Sequence, residues 1–163
     1  MASGTQHDRA TILLSIAMGT ATLPVNPSSA IPLALGCLAN LYLSPDLDQA
    51  NTGYKCKAWH RWRRLFPPVA WYWKLYAKAI PHHRHWSSHG PIIGTLGRLL
   101  PALVVWAYFN FEMVWPLLWQ LLRTQDISLV FLAFPAWVVW GFVGLVAADT
   151  LHLVMDWLWS EFR

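Results

Sequence analysis

The sequence predicts an all-α fold, a small integral membrane bundle of about four apolar helices with short interfacial helices, over 1–163 as one domain. The chain is 56% hydrophobic and only 12% charged, which is too apolar for a soluble domain with one core. It contains 12 Trp, a residue that collects at bilayer interfaces. Ile127–Ala148 contains no Asp, Glu, Lys, Arg or His and is long enough to span a bilayer.

The first element is a predicted helical hairpin. Ala10–Leu23 and Ile31–Leu43 are apolar, and the Pro, Asn and Ser residues of Pro24–Ser29 form a turn between them. Each arm is shorter than the roughly 17 to 25 residues of a full span. The sequence is therefore compatible with two arrangements: a tilted or half-buried hairpin, or two complete membrane crossings.

A basic, aromatic segment follows, with an interfacial part at 49–90. Lys55–Arg98 contains nine of the twelve basic residues, interleaved with Trp and Tyr, and Pro67, Pro68 and Pro81 cut it into short helices and loops. Basic and aromatic residues in alternation favour a membrane lipid surface over nucleic acid, so no nucleic-acid partner is predicted. The positive-inside bias places this segment and both termini on the cytoplasmic side.

Two further apolar segments complete the chain. Leu99–Leu122 is interrupted only by Glu112, and the short turn Thr124–Asp126 leads into the last long helix, predicted to run from Ile127 almost to the terminus. The two cysteines have no CxxC or Cys/His spacing, so they are predicted to be free thiols.

The most informative polar group lies at the end of the last apolar run. Asp149, His152 and Asp156 are spaced i, i+3, i+7, so a helix places them on one face. One His with two carboxylates is a ligand set for a hard or borderline divalent metal. His152 and Asp156 alone, at i and i+4, are spaced to reach one ion.

Three other polar groups fall at the same predicted membrane face. Asp46 and Asp48 follow a helix-ending proline and point the same way if the chain is extended there, although a solvated turn is equally open. His7 and Asp8 precede the first apolar run, where Asp8 also suits a helix start. Four of the seven histidines lie within eight positions: His82, His83, His85 and His89. A helix would place His82, His85 and His89 on one face, whereas a loop would leave their arrangement to tertiary contacts. His60, among arginines, favours a surface role.

These stretches together resemble a known family. Ser3–Arg9, Ser44–Asp48, His83–Gly90 and His152–Asp156 are similar to a family of membrane proteins labelled as predicted metal-binding, over nearly the whole chain. They resemble more distantly the bacterial membrane-bound metal-dependent hydrolases, with Pro-Asp-x-Asp, His-Arg-x-x-x-x-His and late His-x-x-x-Asp signatures. Those hydrolases in turn resemble the helical zinc phospholipase C and single-strand nuclease superfamily, whose His and Asp ligands hold a zinc cluster.

The resemblance implies a metal site at one membrane face and a ligand set: His7, Asp46, Asp48, His83, His89, His152 and Asp156. It places Arg84 and Ser88 beside the metal as catalytic residues. One to three divalent ions are expected, and mixed His and Asp ligands favour zinc over magnesium, with manganese and iron open. The implied function is a metal-dependent hydrolase of a phospholipid or other phosphoester at the cytoplasmic membrane face. The alternative is a non-catalytic, metal-stabilised scaffold or assembly factor that contacts a protein complex.

Overall fold

The computed structural model describes residues 4–52, 56–83, 85–126, 128–129 and 134–161. Every regular element within these residues is helical, so the predicted all-α class is confirmed. The elements are α1 Gly4–Thr22, α2 Pro27–Leu43, a 3₁₀ helix Pro45–Gln49, α3 Lys57–Leu65, α4 Pro67–Ala79, α5 Trp86–His89, α6 Ile93–Phe109, α7 Phe111–Thr124 and α8 Ala136–Glu161.

The segment after α2 is a 3₁₀ helix, whereas the sequence left an extended stretch and a solvated turn equally open. Pro45 cannot continue α2, and the Ser44 side chain accepts a hydrogen bond from the Asp46 N–H at 3.3 Å. This cap starts the 3₁₀ helix that carries Asp46 and Asp48. Their side chains therefore diverge, and Asp48 is buried more deeply than Asp46.

Close packing of α2 against α8 organises the bundle. A Cβ added to Gly36 would lie 2.9 Å from Gly141 Cα, and one added to Gly144 would lie 2.9 Å from the Cys37 nitrogen. Small residues permit this backbone approach, as they do between membrane helices. The two helices run in the same direction, because Gly36 lies against Gly141 and Asn40 against Asp149. The helix α1 packs antiparallel against α2. The start of α1 and the ends of α2 and α8 consequently meet at one end of the bundle.

The basic, aromatic segment folds into two short helices that pack on the 3₁₀ helix. As predicted, the chain breaks before Pro67, which starts α4. Their shared core contains Leu47, Cys56, Trp59 and Trp73. The Trp59 indole donates to the Ala70 carbonyl at 3.1 Å, which fixes α3 against α4. Both cysteines are buried and free, also as predicted.

Two predicted apolar segments differ from the structure. Leu99–Leu122 is not one helix, because α6 and α7 meet at Asn110 at an angle of 109°. The Asn110 side chain donates to the Trp106 carbonyl at 2.8 Å and so competes with the helical hydrogen bonds there. The last long helix begins at Ala136, after Pro135, and not at Ile127, which lies outside the described residues together with 130–133.

Two helical stretches in the described part of the chain are long and apolar enough to cross a bilayer, Pro27–Gln49 and Ala136–Ser160. The bent pair α6–α7 would make a third if it acts as one span. The first predicted apolar segment, now α1, is not among them, so a bundle of four spanning helices stays a prediction.

Candidate metal centre

The end of the bundle where α1, α2 and α8 meet brings all seven predicted ligands together. They form three groups, and within each group one ligand atom per residue lies within 4.8 Å of the others. The groups are His7, His152 and Asp156; Asp46, His89 and His152; and Asp48, His83 and His89. His152 belongs to two groups and His89 to two, so the three groups form one continuous cluster.

The deepest group joins α1 to α8. The His7 and His152 rings stack with their centroids 3.8 Å apart. His7 Nε2 lies 3.3 Å from Asp156 Oδ1, and His152 Nε2 lies 3.5 Å from Asp46 Oδ1 and 3.9 Å from Asp156 Oδ2. Two ligand atoms bound tetrahedrally to one zinc ion lie about 3.3 Å apart, from zinc–ligand distances of about 2.0–2.1 Å. The separations in this group therefore suit a shared ion better than direct hydrogen bonds.

Unpartnered ring nitrogens support the same interpretation. Among the described residues, His7 Nδ1, His89 Nε2 and His152 Nε2 are buried without a hydrogen-bond partner. A buried polar atom left in this state costs about 1–3 kcal/mol. Coordination to a divalent metal would satisfy the Nε2 atoms of His89 and His152, so the donor set fits a metal ion. His7 faces the Asp156 carboxylate with its Nε2 atom and not with the unpartnered Nδ1.

The Asp48 carboxylate contacts both histidines of the third group. Asp48 Oδ1 lies 2.9 Å from His83 Nδ1, and Oδ2 lies 3.4 Å from His89 Nδ1. His83 Nε2 lies 3.0 Å from the Gln49 amide, so both of its ring nitrogens already face polar protein atoms. The buried Ser88 hydroxyl donates to Asp48 Oδ2 at 2.9 Å. Ser88 therefore helps to orient the carboxylate, and the catalytic role that the resemblance implies for it stays a prediction.

One edge of the cluster is more open than the rest. The side chains of Asp46 and His83 are 22% and 24% exposed, whereas those of His7, His89 and His152 are almost fully buried. A ligand from solution would therefore approach at the Asp46–His83 edge. Arg84, which the resemblance also places beside the metal, lies outside the described residues, and its role stays a prediction.

Two acidic residues considered as ligands have other partners. Asp8 Oδ2 accepts from Arg61 Nη2 at 2.6 Å and lies 3.6 Å from Lys57 Nζ, so it fastens α1 to α3 beside His7. Asp149 shares a helix face with His152, but its Oδ1 accepts from Asn40 Nδ2 at 3.1 Å. Its Oδ2 pairs with Arg98. The interpretation of Asp149 as a third ligand on that face is therefore wrong.

The histidine-rich stretch is a loop followed by a single helical turn. His85 ends the loop, and its Nδ1 accepts from the Ser87 N–H at 3.3 Å to cap α5. His82 packs edge-on against His85, with ring centroids 4.9 Å apart, and neither belongs to the three groups. His60 likewise stays apart and packs against Trp59.

Arg98 and its partners were not anticipated as part of this region. Arg98 belongs to the basic segment that the sequence predicts to lie at the membrane surface, yet it is 2% exposed and contacts Ser88, Thr95 and Asp149. Its position in a largely apolar stretch, three residues after Thr95, is the signal that could have indicated a buried ion pair.

A buried cluster of histidines and aspartates at one end of a helical bundle defines a helical metal-binding protein. Residues 2–163 match the family described as uncharacterized metal-binding protein (DUF2227), and the chain belongs to that family. No curated protein and no solved structure matches the chain.

Proposed function

We propose that the cluster binds one to three divalent ions, with zinc the favoured metal. The observation that carries this is the pair of buried, unpartnered Nε2 atoms of His89 and His152, whose residues are grouped with the carboxylates of Asp46 and Asp156. Mixed imidazole and carboxylate ligands suit zinc better than magnesium, which prefers oxygen. His83 and Asp48 would complete the cluster beside His89, Asp48 as a ligand or as a hydrogen-bonding partner of His89 and His83 as a ligand or as a partner of Asp48.

Elemental analysis of the purified protein tests metal binding. His152→Ala removes the residue shared by two groups and should lose most of the bound metal. His60→Ala makes the same chemical change outside the cluster and should retain it. Equal metal content in both variants and the wild type would contradict the proposed ligand set.

Membrane embedding is the second part of the proposal. Large apolar side chains are exposed on several helices, among them Ile31, Phe109 and Trp137. Such a surface is unfavourable in water and suits lipid. The exposed basic side chains Arg63 and Arg64 on α3 favour the cytoplasmic side for the cluster and for both termini.

Thiol labelling from each side of the membrane tests this topology. Because both native cysteines are buried, their background labelling should be low. Gln125→Cys in the turn after α7 should react only from outside the cytoplasm, and Arg64→Cys on α3 only from within. Labelling of position 125 from the cytoplasm would contradict the orientation.

The third part is hydrolysis of a phosphoester, with a phospholipid headgroup as the favoured substrate class. A divalent metal would supply a Lewis acid and an activated water at neutral pH. The Asp46–His83 edge would admit the substrate, and Asp48 would keep His89 oriented. The resemblance assigns Arg84 to a phosphate oxygen, which a guanidinium binds with two hydrogen bonds.

Metal-loaded protein in detergent should therefore cleave a phosphomonoester, a phosphodiester or a phospholipid. Chelation should abolish turnover, and zinc should restore it. Arg84→Ala should lower turnover while bound metal stays constant, because the arginine would contact phosphate and not metal. A folded, fully metallated preparation without turnover on any of the three substrates would contradict hydrolysis.

A non-catalytic scaffold is the second candidate function, and the burial of the cluster favours it. His89, His152 and Asp156 are each no more than 5% exposed. Structural metal sites are closed by protein ligands, whereas catalytic sites keep a position for water or substrate. Tight metal that exchanges slowly, in a protein without turnover, would support this function.

A further inference from the structure

A buried ion pair connects α6 to α8, the helix that carries His152, and lies next to α5, which carries His89. Arg98 on α6 and Asp149 on α8 are paired, with their side chains 0% and 1% exposed. Asp149 precedes His152 by one turn of α8. The Arg98 guanidinium also donates through Nη1 to the Ser88 carbonyl, next to His89 in the chain. One side chain therefore touches both the element of His89 and the helix of His152.

The backbone of α6 approaches the same carbonyl closely. A Cβ added to Gly94 would lie 2.7 Å from the Ser88 carbonyl carbon and 3.3 Å from Arg98 Nη1. Ser88 is thus held between the Gly94 backbone and the Arg98 guanidinium. Asn40 on α2 completes the connection, because its amide donates to Asp149 Oδ1 at 3.1 Å.

The ion pair is poorly suited to a role in stability alone. Removing two charges from water is costly, and well-packed apolar residues often replace a buried pair without loss of stability. Arg98 Nε has no hydrogen-bond partner among the described residues, which adds to the cost. The pair supplies instead a fixed geometry between α5, α6 and α8.

We propose that Arg98 and Asp149 are positioning residues that hold His89 and His152 at the separation needed for metal binding. Neither residue belongs to a ligand group, so both act through the histidines. The imidazoles lie 5.8 Å apart, centroid to centroid, and no hydrogen bond between the two rings fixes that distance. This inference rests on the proposed metal binding.

The double variant Arg98→Met/Asp149→Leu tests the proposal, because it removes both charges at once and leaves no unpaired buried ion. Two quantities should be measured for each protein: the affinity for zinc, by competition with a chromophoric chelator, and the visible spectrum of the Co²⁺-loaded form. Helicity and melting temperature of the metal-free protein report folding separately. Arg123→Met, at an exposed arginine on α7, is the control.

The double variant should fold as the wild type does without metal, bind zinc about 10–100-fold more weakly, as for other groups that orient metal ligands, and show an altered Co²⁺ spectrum. The control should match the wild type in both measurements. Wild-type affinity and spectrum in a folded double variant would overturn the positioning role while leaving metal binding intact. If the double variant fails to fold, Asn40→Leu, which removes one support of Asp149, must weaken binding and alter the spectrum, or the proposal is overturned. A wild-type protein that binds neither ion would overturn both proposals.

Discussion

The contact between α2 and α8 leads to a sharp prediction, because two glycines of the same helix differ in the space around them. A Cβ at Gly144 would lie 2.9 Å from the Cys37 nitrogen and 3.0 Å from the Leu33 carbonyl carbon. A Cβ at Gly141 would lie 3.7 Å from the Pro32 carbonyl oxygen, an ordinary van der Waals contact. Both sites lie inside α8, so alanine brings the same gain in helix propensity at each, about 1 kcal/mol.

Only Gly144→Ala must push two backbones apart, and no side chain can rotate away to relieve the contact. Overpacking typically costs about 1–3 kcal/mol. The two variants should therefore differ in unfolding free energy by roughly 1–3 kcal/mol, with Gly141→Ala the more stable. For a chain of this size the melting temperatures should differ by some 2–12 °C, from about 2–4 °C per kcal/mol.

A thiol-reactive fluorogenic dye suits the assay, because both native cysteines are fully buried and should react only on unfolding. Melting curves in one detergent, with and without zinc, would give the difference in melting temperature between the two variants for the metal-bound and the metal-free protein. Equal melting temperatures for the two variants, or a lower one for Gly141→Ala, would refute the predicted helix contact.

Three further outcomes follow from the same geometry. Burial raises the pKa of the Cys56 thiol to about 12, so this thiol should stay unmodified at pH 8 in folded protein, and rapid labelling would contradict its position in the core. Arg61→Ala removes both a partly exposed pair with Asp8 and a hydrogen bond to the Leu41 carbonyl, and should lower the unfolding free energy by about 1–3 kcal/mol, measured in the same melts; an unchanged unfolding free energy would contradict both contacts. Chelation should lower the melting temperature of the wild type, because at a free metal concentration 100 times Kd binding contributes about 2.7 kcal/mol. His152→Ala should respond much less to the chelator, and a response equal to that of the wild type would place the stabilising metal elsewhere.

The ligand set came from the family resemblance, and the sequence alone indicated only that these polar groups lie toward one end of the predicted helices. His7 precedes an apolar run, Asp46 follows a helix-ending proline, and His152 comes near the end of the last helix. Helices that alternate in direction bring such boundaries to a common end. The spacing of Asp46 and Asp48 did not predict their local geometry, because the Ser44 cap that starts the 3₁₀ helix depends on one hydrogen bond that spacing does not reveal.

The support around the site was less predictable, because it depends on contacts between distant residues. Asp149 has the same helical spacing as a ligand, and only the position of Arg98, 51 residues away, decides that it forms an ion pair. The bend at Asn110 likewise falls at one polar residue of a largely apolar segment, where the side chain donates to the Trp106 carbonyl. Apolar periodicity predicts that such segments are helical, but not where they turn.

The most direct test of the metal centre is X-ray absorption at the metal edge of the purified protein. The cluster predicts a first shell of nitrogen and oxygen only, at about 2.0–2.1 Å for zinc, with the outer scattering of imidazole rings. Cys37 and Cys56 belong to none of the ligand groups, so no sulfur shell is expected. A shell at about 2.3 Å, the zinc–thiolate distance, or a first shell without imidazole scattering, would contradict the histidine and aspartate centre.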